Sequence, residues 1–152
     1  PDLLSDVDLI IFDLDNTLVF PETCTSTEKI LECFRKLKQK KQCVILSNSN
    51  TASKRKNKIE KLFGCDLFLS SNKKPFSSLF KEIDDRYNLK TKNFVVLGDR
   101  IFVDIVFGNI NNAITILVDP ITKREDFLTV VKRFVENALV FILKPLIRKN
   151  ET

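Results

Sequence analysis

The stretch Ile10-Ile11-Phe12-Asp13-Leu14-Asp15-Asn16-Thr17-Leu18-Val19 constrains this chain more than any other. The apolar run 9–12 reads as a strand buried on both faces, and it delivers two carboxylates, Asp13 and Asp15, where the chain leaves the sheet. Acidic side chains are seldom buried without a partner. Residues i and i+2 of an extended segment point the same way, so the pair is expected to converge on one spot and to repel unless a cation lies between them. A hard divalent ion suits such a place.

What is absent narrows the chemistry further. With no histidine in the chain there is no Ser-His-Asp or Cys-His nucleophile, no His-ligated zinc and no imidazole acid or base. Only three glycines are present, Gly64, Gly98 and Gly108, which excludes a Walker loop and a GxGxxG turn. The four cysteines, Cys24, Cys33, Cys43 and Cys65, form no CxxC pair and read as small buried thiols of a reducing, intracellular compartment, so neither a disulfide nor a zinc knot is expected. At 152 residues and 43% hydrophobic side chains, one domain with a single core is expected over 1–152. The apolar run 138–143 falls far short of the ~20 residues that span a bilayer, so no transmembrane helix is expected. The chain opens on Pro1 and holds no Met, the expectation for a trimmed sequence in which a leader peptide would no longer be visible.

Strand and helix patterns then alternate. Thr25-Ser26-Thr27-Glu28 reads as a capping box opening a helix at about 26–40, with Ile30, Phe34 and Leu37 at helical spacing. A second buried strand, 43–46, runs into Ser47-Asn48-Ser49-Asn50, and a basic helix over 53–63 ends at Gly64. After a short strand at 66–69, Pro75 is expected at the first position of a helix carrying Phe76, Leu79, Phe80, Ile83 and Tyr87. A fourth strand, 94–97, closes on Gly98-Asp99; a short helix, 101–107, leads to a strand at 114–118. Such alternation predicts an α/β fold, a three-layer parallel sheet covered on both faces with right-handed crossovers. Ligands of such sheets bind at the carboxyl ends of the strands.

That rule gathers Asp13, Asp15, Ser47, Asn48, Lys74, Asp99 and Asp104 on one rim. Carboxylates with one lysine and a hydroxyl are the inventory of a Mg²⁺ site that handles a phosphoryl group. Bland readings stand beside this one. Asp13 and Asp15 could be a metal-free pair, Asp104 could only favour a helix dipole, and Ser47 and Asn48 could be turn residues. Lys73 reads as a solvated neighbour of Lys74.

Asp13-Leu14-Asp15-Asn16-Thr17-Leu18, Ser47, Lys74-Pro75 and Gly98-Asp99-Arg100-Ile101-Phe102-Val103-Asp104, in that order, resemble the four motifs of the haloacid dehalogenase (HAD) superfamily of phosphotransferases. The resemblance covers 9–119. It implies a Rossmann-like HAD fold with Asp13 as the nucleophile that forms an aspartyl phosphate. Asp15 would be the acid that protonates the leaving alcohol and then activates water. It also implies Mg²⁺ held by Asp13, the backbone carbonyl of Asp15 and Asp99, with Asp104 in support, and phosphate gripped by Ser47 and Lys74, with Asn48 beside them. A strand and a helix use nearly all of each interval between motifs, so no cap domain is expected, and an open site suits substrates that are large or fixed in a surface.

Within the superfamily, the stretch 98–109 and the following Ile114-Thr115-Ile116-Leu117-Val118-Asp119-Pro120-Ile121 are similar to the small phosphatidylglycerophosphate phosphatases of bacteria and mitochondria. Relatives carry a glycine where this chain has Asn111-Asn112-Ala113; Asn tolerates a left-handed conformation, so the turn is expected to form. The implied reaction is release of phosphate from phosphatidylglycerophosphate, on the way to cardiolipin, in the bacterial cytoplasm or mitochondrial matrix at the inner membrane. A net charge of +5, with Lys54, Arg55, Lys56, Lys58 and Lys61 on one helix, suits a peripheral encounter with anionic lipid, or with nucleic acid, unless that face is merely solvated. An amphipathic helix expected at about 125–143 could lie on a membrane or close the domain's own core. Other readings are a capless phosphatase of phosphoproteins or polynucleotide ends, and a non-catalytic phospho-acceptor or scaffold; Asp15 argues against the last.

Overall fold

The computed structural model describes residues 5–69, 74–75, 79–88 and 93–122. Lys73, Phe76 and the helix expected at 125–143 lie outside the described residues. The chain divides into two compact units, Pro1–Ile121 and Thr122–Thr152, and every element named below belongs to the first.

Strand β1 (Leu9–Asp13) is buried along its whole length, as a central parallel strand must be. It pairs in parallel with β2 (Gln42–Ser47) on one side and with β4 (Phe94–Gly98) on the other. Strands β3 (Leu67–Leu69) and β5 (Ile114–Leu117) complete an all-parallel sheet of order β3-β2-β1-β4-β5. Period-two alternation sorts the side chains into two cores. Ile10, Phe12, Ile45 and Val95 meet α1 (Glu28–Lys38) and α2 (Ala52–Phe63) through Phe34, Ile59 and Phe63. Leu9, Ile11, Val44 and Val96 meet α3 (Leu79–Tyr87) and α4 (Val106–Ile110) through Ile83 and Phe107. This is the three-layer Rossmann-like arrangement expected, and strand order reverses between β1 and β4, where ligands of such sheets bind.

Local differences from the sequence expectation have local causes. The N-cap of α1 is Thr27, whose Oγ1 accepts from Ile30 N–H at 3.3 Å. Thr25 instead belongs to the preceding loop, where its carbonyl accepts from Phe20 N–H at 2.9 Å. Cys33 is exposed on α1 rather than buried. The thiols are free, and burial pushes Cys43 up to about 11 and Cys65 to about 12, so these two stay protonated and inert. Gly64 caps α2 at φ 63, and Lys38 Nζ donates to the carbonyls of Phe63 and Gly64 there. Pro75 stands in a turn, joined to Lys74 by a cis peptide, and residues 76–78 of the helix expected after it lie outside the described residues. The segment after β4 begins as a π-helical turn, Ile101–Ile105, and becomes α-helical only in α4. Asn112 takes φ 58, so the turn does form without its glycine. No helix among the described residues is long and apolar enough to cross a membrane.

Candidate active site at the switch point of the sheet

Asp13 ends β1, level with Leu46 of β2, and Phe12 is level with Leu97 of β4. Asp99 therefore leaves β4 beside the point where Asp13 leaves β1. Carboxylate oxygens of Asp13, Asp99 and Asp104 all lie within 4.8 Å of one another. Asp99 accepts from Asn16 Nδ2 and Thr17 Oγ1, each at 3.3 Å, which ties the loop after β1 to the loop after β4. Asn16 can do this because it turns the chain at φ 71, a conformation that Asn tolerates better than most residues.

Lys74 is driven into the centre of this cluster. Its Nζ donates to Asp13 Oδ1 and Asp104 Oδ1, each at 2.6 Å, and to the Leu46 carbonyl at 3.2 Å, which uses all three ammonium protons. Its side chain is 1% exposed, against 2% for Asp13 and 0% for Asp104. Burial opposes the charge on Lys74, but the two carboxylates outweigh it and hold the amine above the ordinary lysine range. The Asp13 carboxyl is raised chiefly by burial, with Lys74 acting against that and the like charge of Asp104 adding to it. Asp99 is raised by burial and then by Asp13.

Three carboxylates face two cationic groups, Lys74 and Arg100, whose Nη2 lies 3.6 Å from Asp13 Oδ1. Among the described residues a net negative charge is left in a buried place. Asp13 Oδ2 is buried and has no hydrogen-bond partner among the described residues. An uncommitted anionic oxygen beside two further carboxylates fits a hard cation, which would satisfy it.

Other expected site residues have distinct jobs. Ser47, buried at the end of β2, accepts from Ser49 N–H at 3.1 Å. Asn48 clamps the Lys74 backbone from both sides: its Oδ1 accepts from Lys74 N–H at 2.9 Å and its Nδ2 donates to the Lys74 carbonyl at 3.3 Å. Asp104 also accepts from Arg100 N–H at 3.2 Å, closing the π-helical turn that presents it.

Asp15 departs from expectation. Its carboxylate does not converge with that of Asp13, because β1 ends at Asp13 and the i, i+2 rule holds only while the chain stays extended. It turns instead to Arg55 Nη2, 3.0 Å from both of its oxygens, and to Glu22 N–H at 2.8 Å. Arg55 is accordingly no part of the exposed basic face of α2; that face is carried by Lys54, Lys58 and Lys61, with Lys56 half-buried.

A family model described as mitochondrial PGP phosphatase, where PGP is phosphatidylglycerophosphate, matches residues 4–122. The chain belongs to that family. Relatives of this PGP phosphatase family member include "Probable phosphatase YqeG" of Bacillus subtilis (strain 168), 34% identical over 139 residues, with 89% of this chain and 77% of the relative covered. "Phosphatidylglycerophosphate phosphatase 1, chloroplastic/mitochondrial" of Arabidopsis thaliana is 26% identical over 148 residues, covering 92% of this chain and 42% of its own. The chloroplastic phosphatidylglycerophosphate phosphatase 1 of Chlamydomonas reinhardtii is 27% identical over 141 residues, covering 84% of this chain and 50% of its own. The chain thus spans about half the length of the plant and algal enzymes. No solved structure matches. The PGP phosphatase family member described here is therefore a phosphatase of the HAD type, as its motifs led one to expect.

Gly98 explains how Asp104 can enter the cluster. A Cβ on Gly98 would stand 2.5 Å from Asp104 Cγ and Oδ2, closer than real contacts allow. Gly98→Ala is expected to displace Asp104 and to lower stability by about 1–3 kcal/mol, the usual cost of forcing an extra methyl into a filled site. Urea denaturation checks this; an unchanged midpoint would mean that Asp104 moves aside freely.

Proposed function

We propose that this phosphatase hydrolyses the phosphomonoester of phosphatidylglycerophosphate through an aspartyl phosphate on Asp13, at the surface of an anionic membrane. The observation that carries the reading is the buried, uncommitted Asp13 Oδ2, flanked by Asp99, Asp104 and Lys74. The names of the plant and algal relatives support the lipid substrate.

In the first step the Asp13 carboxylate bonds to phosphorus while the bond from phosphorus to the glycerol oxygen breaks, and Asp15 gives its proton to that oxygen. In the second, water oxygen bonds to phosphorus, the bond to Asp13 breaks, and Asp15 takes the water proton. Ser47 holds a phosphate oxygen, Lys74 offers it positive charge and exchanges one of its present bonds for it, and Asn48 keeps Lys74 in place. The cation fitting this donor set would be Mg²⁺: Asp13, Asp99 and the backbone carbonyl of Asp15 would hold it, with Asp104 in support, and it would supply positive charge against the phosphate oxygens. A chain with no room for a cap between its motifs suits a headgroup fixed in a bilayer. The exposed lysines of α2 favour approach to anionic lipid in the bacterial cytoplasm or an organelle matrix.

The test is phosphate release from phosphatidylglycerophosphate in anionic vesicles, with and without Mg²⁺, beside a phosphopeptide and 3′-phosphorylated DNA. Mg²⁺-dependent turnover of the lipid at least about 100-fold above the other two, the scale of strong substrate discrimination, is expected. Preference for either of the others would replace the lipid reading.

A further inference from the structure

Among the basic residues of α2, Arg55 alone is buried, at 9% exposure. A guanidinium is withdrawn from water only at a cost, so its partners matter. Its Nη2 reaches both carboxylate oxygens of Asp15 at 3.0 Å, Thr51 Oγ1 at 3.3 Å and Ser49 Oγ at 3.5 Å, while Nη1 donates to the Thr23 carbonyl. The loop after β1 is thus held at two points, Asp15 and Thr23, by one side chain planted in the first turn of α2. Glu22 N–H gives Asp15 Oδ1 a further donor from the same loop, with Glu22 at φ 61. None of these contacts involves Asp13, Lys74, Asp99 or Asp104.

The buried guanidinium needs a counter-charge, and the one it has is the carboxylate of the motif residue Asp15, held through both oxygens. We propose that Arg55 is the positioning residue for Asp15, fixing the direction from which its carboxyl gives a proton to the leaving alcohol and takes one from water. The proposal rests on the phosphatase reading above and adds to it a residue outside the motifs. Arg55 touches neither substrate nor the reacting atoms; it acts through Asp15. Groups that orient a catalytic side chain in this way typically account for 10- to 100-fold in activity.

The experiment uses leaving groups of different quality. Proton donation matters for an alkyl phosphate, whose alkoxide is a poor leaving group, and matters little for p-nitrophenyl phosphate, whose phenolate leaves unaided. Arg55→Met is expected to lower kcat/KM on phosphatidylglycerophosphate by about 10- to 100-fold. On p-nitrophenyl phosphate, the same variant should stay within about threefold of wild type. Arg55→Lys, which keeps the charge and the stem but not the planar fork, should fall between them on the lipid. Equal losses of kcat/KM, which ends at the aspartyl phosphate and leaves out the water step common to both substrates, would mean that Arg55 only supports the fold, and no loss on either would mean that Asp15 needs no help; each result overturns the proposal. Should Arg55→Met melt below the assay temperature, Arg55→Lys carries the same comparison. Wild-type protein inert toward both phosphates, or undiminished turnover in Asp13→Asn, would sink the phosphatase reading itself, whereas a dead Asp13→Asn beside a normal Arg55→Met sinks this proposal alone.

Discussion

Asp13→Asn is expected to lower phosphate release by on the order of 10⁴-fold or more, because the amide oxygen cannot attack phosphorus as a carboxylate can. The fold should survive. Asn has nearly the volume of Asp, and Lys74 keeps its 2.6 Å contact with Asp104 and its bond to the Leu46 carbonyl. The loss should therefore be in kcat, with a melting temperature close to wild type. Acid-quenched wild type incubated with labelled substrate should carry a hydroxylamine-sensitive acyl phosphate, and the variant should carry none. A rate within tenfold of wild type would remove Asp13 from the role of nucleophile.

Lys74→Met has the largest expected effect on stability. It strips the ammonium from between two carboxylates that are 2% and 0% exposed and leaves Arg100, at 3.6 Å and beyond, as the remaining cation among the described residues. Removing one partner of such a buried pair typically costs 3–5 kcal/mol, a large share of the roughly 5–15 kcal/mol that holds a domain folded. The melting temperature should fall by on the order of 10 °C at neutral pH.

The loss should shrink in acid. The folded-state pKa of Asp13 is already raised above 3.8 by burial, so the folded protein takes up that proton before the unfolded chain does. The stability linked to it is complete below the unfolded value and is lost as pH rises through the folded one. Without Lys74 that window widens upward, so the gap between variant and wild type should narrow as pH drops from 7 toward 4. Differential scanning calorimetry across that range reads the effect; a gap independent of pH would mean that the carboxylates do not depend on the lysine.

The sheet and its rim were legible because buried parallel strands are written as unbroken apolar runs and the motif residues follow those runs directly. Asp13, Ser47, Asn48, Lys74, Asp99 and Asp104 assemble at the carboxyl ends of β1, β2 and β4 and in the turn after β3 as that rule requires. Arg55 was not legible. Its five-residue neighbourhood reads as a charged helix exterior, and only the three-dimensional path of the loop after β1, turned at Asn16 and Glu22, brings Asp15 to it. The one available signal was an arginine among lysines, since a planar fork is favoured over an ammonium where a carboxylate must be held. The cap of α1, Thr27, was misplaced because neighbouring hydroxyls allow several local structures, and tertiary contacts choose among them.

Asn48 grips the peptide groups on both sides of the Lys74 α-carbon, so the height of the ammonium above the sheet is dictated from β2 and not by the chain that arrives from β3. Drift in the composition or length of that incoming segment need not disturb the charge it delivers. Variation among relatives should gather there, while the Asn at the end of β2 is retained.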